Sequence, residues 1–134
     1  MIERMTAIAL WALIFLGQSP LFNNDCDVKR IGFQHYQEAS RIFITTHGHC
    51  TPQIKHIASD IVRVTLPNGT IPLANDRRPL DTRYFDSAVL WIAPQHTTAE
   101  SPTVWIDIFL KAPDLPFTHD QREDLITMDF AHHQ

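Results

Sequence analysis

The sequence lacks an excess of basic residues, with 11 Lys and Arg against 15 Asp and Glu and a formal net charge of -4 at pH 7. A protein that neutralises phosphates needs a basic surface, so this balance argues against nucleic-acid binding. The chain also lacks the polar bias of a disordered protein, because 44% of its 134 residues are hydrophobic. It can therefore build one domain with its own core. Its eight histidines make the surface charge sensitive to pH between about pH 5 and 7.

The N-terminal apolar run is short for a membrane span, although a longer segment that runs on to Phe22 could serve as an anchor. MTAIALWALIFL, from Met5 to Leu16, has 12 residues, whereas a helix that crosses a bilayer needs about 20. Glu3 and Arg4 precede the run and GQSP follows it, which is the layout of a signal peptide. We therefore predict that residues 1–22 direct export. An uncleaved membrane anchor is the main alternative, and only in that form would the protein contact the membrane; a buried N-terminal helix is a further alternative.

Cysteine is scarce, and Cys26 and Cys50 are the only two. An even number of cysteines in an exported chain favours a disulfide, because compartments outside the cytoplasm are oxidising. A bond between Cys26 and Cys50 would close a loop of 24 residues, which the loop-entropy relation values at roughly 3 kcal/mol. Spacing alone leaves open whether the two Cα atoms come close enough to be bridged.

Long amphipathic helices are missing as well, and the pattern after Asp27 is one of short β-type runs. SRIFITTH, for example, alternates Ile42 and Ile44 with polar or aromatic residues, the period of two that a half-buried strand shows. Residues 72–83 are predicted to form a connecting loop or a short helix, and residues 131–134 a frayed tail. The predicted strands span residues 28–34, 40–47, 52–58, 60–69, 87–95, 103–111 and 123–130.

The second half of the chain repeats the order of the first. RIFITTHG, which begins at Arg41, corresponds to TVWIDIFL, which begins at Thr103, and DIVRVTLP corresponds to DLITMDF, with offsets of 62 to 64 residues. A duplicated β-pattern predicts two similar small sheets that pack face to face and bury their apolar faces against each other. We therefore predict an all-β sandwich with pseudo-two-fold symmetry, preceded by the export segment.

The order of these segments resembles that of an AMIN domain, a module found in periplasmic amidases and in secretin subunits of type IV pili and secretion systems. The resemblance covers residues 28–130 and rests on VKRIGF, SRIFITTHG, DIVRVTLPN, SAVLWIA, TVWIDIFL and DLITMDF in that order. It implies a periplasmic β-sandwich that targets proteins to peptidoglycan and has no catalytic activity. Arg41 keeps the family pattern, whereas Ile61, Thr65 and Thr103 stand where the family has charged residues.

The stretch TTHGHCTPQ carries side chains that could bind a metal. His47 and His49 lie two residues apart, on one face of a strand, and Cys50 or His56 could supply a third ligand. A structural zinc site needs four ligands in a recognisable spacing. We therefore interpret the stretch as the polar turn of a hairpin, with His47 and His49 as weak metal candidates. An oxidising compartment disfavours a catalytic thiol, and the chain has no G-x-S-x-G, so we predict no catalytic residue and no cofactor.

Outward-facing aromatic residues are the strongest candidates for binding. Alternation in TVWIDIFL places Trp105 and Phe109 on the face opposite its core residues. In the first half, Arg41 and Phe43 likewise lie on the face opposite the core residues of their strand. Large apolar side chains on a surface are commonly used for recognition, unless a loop or the N-terminal segment covers them. We predict that these four residues bind a ligand or partner. Asp107, on the same face, is expected to meet solvent or to pair with a neighbouring arginine.

These features predict a non-catalytic binding module of the cell envelope. The first hypothesis is an accessory subunit of a pilus, secretion or flagellar machine, which binds protein partners through its aromatic face or its sheet edges. The alternative is a peptidoglycan-binding targeting domain that uses Arg41, nearby polar groups and the aromatics. A metal-binding protein or metal-dependent enzyme built on His47 and His49 is the third reading. The loss of the family's other arginines slightly favours the first hypothesis.

Overall fold

The computed structural model describes residues 25–98 and 100–132. Within these residues the chain forms ten β-strands and one short 3-10 helix, which confirms the all-β prediction. The predicted export segment, residues 1–22, lies outside the described residues, as do positions 133 and 134 of the predicted tail. None of the helical structure in residues 25–98 and 100–132 is long and apolar enough to cross a membrane.

The main strands follow the sequence pattern closely, with a few differences. Segment 72–83 contains both a 3-10 helix and a two-residue strand. The strands β5 (Gly69–Thr70) and β9 (Phe117–Arg122) were not predicted, and β10 (Leu125–Ala131) continues past Phe130. His132 packs beyond the end of β10, so the chain is ordered further than predicted. The elements are β1 (Cys26–His35), β2 (Ala39–Gly48), β3 (Gln53–Ala58), β4 (Ile61–Pro67), β5 (Gly69–Thr70), the 3-10 helix (Ala74–Arg77), β6 (Leu80–Asp81), β7 (Val89–His96), β8 (Thr103–Leu110), β9 (Phe117–Arg122) and β10 (Leu125–Ala131).

The strands form two five-stranded sheets. Sheet A has the order β5-β1-β2-β10-β9, and sheet B has the order β3-β4-β8-β7-β6. Neighbouring strands are antiparallel, apart from the short parallel pair of β1 and β5. The longest apolar strands, β2 and β8, therefore lie in the middle of their sheets.

Period-two alternation places the core between the sheets. In β2, Ile42 and Ile44 are fully buried, while Arg41 and Phe43 lie half-buried on the outer face. β4, β8 and β10 show the same alternation. The buried side chains of both sheets form one hydrophobic cluster, so the two sheets pack face to face as a sandwich.

The two halves of the chain exchange hairpins between the sheets. Sheet A joins β1 and β2 of the first half to β10 and β9 of the second, whereas sheet B joins β7 and β8 to β4 and β3. In the first half, β1 and β2 lie in sheet A and β3 and β4 in sheet B. In the second half, β7 and β8 lie in sheet B and β9 and β10 in sheet A. Each half therefore contributes to both sheets.

A β-bulge at the same place in each half supports this pseudo-two-fold relation. The register of β1 shifts between Val28 and Arg30, and the register of β7 shifts between Val89 and Trp91. In β1 the extra residue reverses which positions face inwards. Apolar residues before and after the bulge can therefore both direct their side chains into the core. The bulges thus serve the same packing purpose in both sheets.

The bulges also fix the correct alignment of β2 with β8. Thr45 lies opposite the residue that follows the first bulge, and Phe109 lies opposite the residue that follows the second. Thr45 therefore corresponds to Phe109, and Arg41 to Trp105. The sequence comparison matched Arg41 with Thr103, which was wrong by two residues.

The segment between β2 and β3 crosses from sheet A to sheet B, so the predicted hairpin turn was wrong. Gly48 ends β2 with a φ of 94°, a conformation that favours glycine. A Cβ at this position would collide with the backbone carbonyl of Asp25. Gly48 therefore lets the crossover pass close to the start of β1.

A disulfide joins Cys26 to Cys50, which confirms the predicted pairing. The two Cα atoms are 5.0 Å apart, and both cysteines belong to the buried core. The bond ties the first residue of β1 to the crossover that leaves β2. A disulfide fits an oxidising compartment, which is the part of the predicted localisation that the structure supports.

Candidate functional site

A bidentate ion pair lies on the outer face of sheet A. Arg41 on β2 and Asp129 on β10 are direct cross-strand neighbours. Nε of Arg41 donates to Oδ1 of Asp129 at 2.7 Å, and Nη2 donates to Oδ2 at 2.9 Å. Two parallel hydrogen bonds fix the plane of both groups, so the pair presents a rigid polar surface.

Tyr36 lies beside this ion pair, in the turn between β1 and β2. The guanidinium carbon of Arg41 is 5.4 Å from the centroid of the Tyr36 ring, within cation–π range. The tyrosine is 41% exposed. An aromatic ring and a planar ion pair therefore stand side by side at the surface.

A groove of about 290 Å³ begins at Arg41 and extends towards β9. Its lining contains two arginines and two aspartates, Arg41, Arg122, Asp120 and Asp129. On the opposite side of the ion pair, a second depression is lined by Tyr36 and by the residues of the β1–β2 turn. The charges of these four side chains cancel, and His119 also lines the groove, so the groove offers both hydrogen-bond donors and acceptors.

The ion pair stays charged at neutral pH. The hydrogen bonds from Arg41, followed by its charge, lower the pKa of Asp129, although burial opposes this shift. The hydrogen bonds and charge of Asp129 raise the pKa of Arg41. The pair uses two of the five N–H donors of the guanidinium, and the Arg41 side chain is 41% exposed. Donors therefore remain within reach of a ligand.

The outer face of sheet B carries a second bidentate ion pair. Arg63 on β4 donates to both carboxylate oxygens of Asp107 on β8, at 2.8 and 3.0 Å. These hydrogen bonds raise the pKa of Arg63. Asp107 is only 4% exposed. The predicted pairing with a neighbouring arginine is confirmed, and the alternative of a solvent-facing carboxylate was wrong.

Aromatic side chains lie on both sides of this second ion pair. On one side, Phe109 stands between Ile61 and Trp91 in a cross-strand row, and the ring centroids of Phe109 and Trp91 are 4.9 Å apart. On the other side, the Trp105 ring centroid lies 5.9 Å from the guanidinium carbon of Arg63. These aromatic residues are half-buried and form what we term the aromatic face.

The four predicted binding residues occupy opposite sides of the sandwich. Arg41 and Phe43 lie on the outer face of sheet A, whereas Trp105 and Phe109 lie on that of sheet B. Phe43 covers Gly32, where an added Cβ would collide with the Phe43 ring. The structure therefore separates the candidates into two sites, and their roles in binding stay predictions.

The weak metal candidates lose one possible ligand. Cys50 is bonded to Cys26, so it is neither a metal ligand nor a free nucleophile. His47 and His49 are exposed at the end of β2 and in the crossover. Among residues 25–98 and 100–132, no three His, Cys, Asp or Glu side chains are placed to hold a metal ion.

Sequence reasoning missed four members of these sites, Tyr36, Arg63, Trp91 and Asp129. Arg63 and Asp129 each stand within an apolar strand, and that interruption was the available signal. Their partners are 44 and 88 residues away in the sequence. Only the pairing of β4 with β8 and of β2 with β10 brings the charges together.

Comparison with protein-family models gives no match, and comparison with curated proteins gives none either. The resemblance to AMIN domains therefore rests on the order of the sequence segments. It enters the function below as a proposal.

Proposed function

We propose that the protein is a non-catalytic binding module of the cell envelope, and that the groove at Arg41 binds peptidoglycan in the periplasm. The observation that carries this proposal is the bidentate Arg41–Asp129 pair between Tyr36 and a groove whose arginine and aspartate charges cancel. The resemblance to AMIN domains points to the same class of ligand and includes Arg41 itself.

The chemistry of the groove matches that of a glycan. Each sugar hydroxyl both donates and accepts hydrogen bonds, and the ion pair offers the N–H donors of Arg41 next to the carboxylate oxygens of Asp129. The exposed ring of Tyr36 supplies an apolar surface with a polar tip against which a sugar ring can pack. The remaining N–H donors of Arg41 can also hold a carboxylate of the peptide stems.

Co-sedimentation with insoluble peptidoglycan sacculi tests this proposal. We expect the wild-type protein to sediment with the sacculi, and Arg41→Ala and Tyr36→Ala to sediment several-fold less. Arg83→Ala is the matched control, because Arg83 also forms a bidentate pair, with Asp81, at an exposed site. Circular dichroism of each variant checks that the fold is retained.

Two outcomes would overturn the proposal. One is a wild-type protein that stays in the supernatant at low salt. The other is equal sedimentation of the Arg41→Ala and Arg83→Ala variants, which would remove the groove from the interaction.

A second candidate function follows from the aromatic face of sheet B. Trp91, Trp105 and Phe109 surround an ion pair whose hydrogen bonds are satisfied, so this face can meet another protein without leaving Asp107 unpaired. Aromatic side chains, tryptophan above all, and arginine side chains contribute most of the binding energy at protein interfaces. We propose an accessory role in an envelope machine of the pilus, secretion or flagellar type, with a protein partner on this face.

Crosslinking in intact envelopes separates the two candidates. A photo-crosslinking residue at Trp105 should yield a discrete protein adduct, and one at Tyr36 should not. Tyr84, which is 89% exposed on a loop, provides the control position. Adducts of equal yield at Trp105 and Tyr84 would show only non-specific contacts and count against the protein partner.

A further inference from the structure

A buried hydrogen-bond chain lies at the end of sheet A far from the disulfide. Ser40 on β2 is fully buried, and its Oγ accepts a hydrogen bond from the backbone N–H of Ala88 at 3.3 Å. The same Oγ lies 3.2 Å from Nε2 of His132. The ring of His132 stacks on that of His35, with centroids 4.9 Å apart and an angle of 14° between the planes.

The direction of these hydrogen bonds depends on the charge of His132. The hydroxyl proton of Ser40 needs an acceptor, and Nε2 of a neutral His132 that carries its proton on Nδ1 can accept it at this distance. Every fully buried side-chain nitrogen or oxygen in the described part of the chain has a hydrogen-bond partner. A protonated His132 would turn Nε2 into a donor and leave the buried hydroxyl proton without an acceptor, which is unfavourable.

The stack of imidazole rings makes the same cluster sensitive to a second proton. Two neutral rings pack well in parallel, whereas two cationic rings at this distance repel each other. His35 is exposed and His132 is half-buried, so solvent protons reach both.

The charged groups that the structure describes beside the cluster do not neutralise two cationic rings. Asp86 and Lys111 line the cavity beside His132, and their charges oppose each other. Glu38 lies in the β1–β2 turn, where its backbone carbonyl accepts the backbone N–H of His132 at 3.4 Å. Among residues 25–98 and 100–132, these groups supply one negative charge in excess, and Phe85, a further neighbour of His35, is apolar.

The cluster holds three parts of the fold together. Ser40 belongs to sheet A, Ala88 immediately precedes β7 of sheet B, and His132 follows β10. The backbone bond from His132 to Glu38 attaches the end of β10 to the β1–β2 turn. That turn also carries Tyr36, which stands beside Arg41.

We infer that Ser40, His35 and His132 form a pH-sensitive latch. The latch is closed when both imidazoles are neutral and opens when both are protonated. Opening frees the end of β10 and loosens the β1–β2 turn. The latch itself does not depend on the proposed function, but its effect on ligand binding rests on the assignment of the Arg41 groove.

Amide hydrogen exchange measured by NMR on the full chain tests the latch. The amides of His132 and Tyr36 donate to Glu38 and Ala39 and report directly on this end of the sheet. Between about pH 7.5 and about pH 5, after correction for intrinsic exchange rates, we expect their protection in the wild type to fall several-fold. The His132→Gln variant, which keeps an acceptor for Ser40 but cannot be protonated, should show no such fall.

Two further variants keep the test decisive if His132→Gln is poorly folded. His35→Phe keeps a stacked ring and removes one charge, so its loss of protection at the lower pH should be smaller than that of the wild type, because only the contact between Ser40 and His132 is left to respond. His49→Gln, at an exposed site in the crossover, is the matched control and should behave as the wild type. Equal pH dependence in the wild type and in His35→Phe would overturn the latch.

Sacculus binding at the two pH values tests the coupling separately. We expect weaker binding at the lower pH for the wild type and a smaller loss of binding for His35→Phe. If the wild type fails to bind sacculi at either pH, the proposed function fails, and the exchange experiment still decides the latch. If binding is pH-dependent in both proteins alike, the latch does not control the groove.

Discussion

Arg63 determines whether a buried carboxylate on sheet B is paired. We predict that Arg63→Leu lowers the free energy of unfolding by about 1–3 kcal/mol, because Asp107 stays buried and loses its partner. The double variant Arg63→Leu with Asp107→Leu should regain most of this loss, since two apolar side chains need no partner. Urea denaturation of both variants gives the comparison.

Arg83→Leu is the control for this prediction. Its pair with Asp81 is exposed on both sides, so its removal should leave the urea midpoint unchanged. Equal destabilisation by Arg63→Leu and Arg83→Leu would mean that burial of Asp107 has no energetic consequence.

Asp129 should give the stability of the protein a defined dependence on acid. Its pKa is lower in the folded state than its ordinary value, which is about 3.9 in the unfolded chain. The stabilisation is therefore complete above that value and is lost as the pH falls through the folded pKa. Asp129→Asn should flatten this part of the stability curve, measured by urea unfolding between about pH 5 and pH 2.

A conservative change elsewhere serves as the reference for the acid profile. Glu100→Gln, in the exposed loop between β7 and β8, should retain the wild-type dependence on acid. Arg41→Ala should resemble Asp129→Asn, because it removes the group that lowers the pKa of Asp129. Wild-type behaviour of both Asp129→Asn and Arg41→Ala would contradict the prediction.

At the scale of elements, alternation predicted the strands that bury one face and missed β9. β2, β4 and β8 were found because Ile, Val and Leu recur at every second position. β9 has the sequence FTHDQR and is half-buried only at its first residue. It lies at the edge of sheet A, where polar residues on both faces are tolerated, and such a strand has no apolar period to read.

The disulfide stabilises the junction between β1 and the crossover to sheet B. We predict that the double variant Cys26→Ser with Cys50→Ser lowers the free energy of unfolding by roughly 3 kcal/mol, the value expected for a loop of this length. Chemical denaturation with and without reductant provides the measurement. Reductant should destabilise the wild type and leave the double variant unchanged.

Thiol counting after extraction under denaturing conditions checks the premise of this prediction. Two free thiols per chain in freshly extracted protein would contradict the bond. If reductant destabilises the double variant as much as the wild type, its effect is unrelated to the disulfide.

For the whole molecule, the exchange of hairpins makes the two halves depend on each other. Residues 25–71 and 72–132, produced as separate chains, should each be unfolded, because the strands of each half are divided between two sheets and cannot bury their apolar faces alone. Mixing the two chains should restore the native near-ultraviolet circular dichroism spectrum and the dispersion of the NMR spectrum. The intact chain is the reference, and a dispersed spectrum from either half alone would refute the prediction.

The sequence by itself determined the all-β class, the inward and outward faces of the main strands, and which two cysteines could pair. These features depend on local periodicity or on residue counts, which one chain displays directly. It also identified Arg41 as a surface candidate, since alternation places the arginine opposite Ile42 and Ile44 and the resemblance to AMIN domains includes it. The register between the two halves was misjudged by two residues, because a β-bulge leaves little mark in the sequence.

Only the tertiary structure decided which charges meet and which surfaces are shared. Arg41 meets Asp129, Arg63 meets Asp107, and His35 meets His132 through pairing between strands far apart in the chain. The packing of the two sheets also placed Arg41 and the aromatic face on opposite sides of the sandwich. Alternation along a strand indicates which face of the strand a side chain occupies. Its neighbours on that face depend on the order of strands in the sheet, because strand pairing joins segments that are far apart in the sequence.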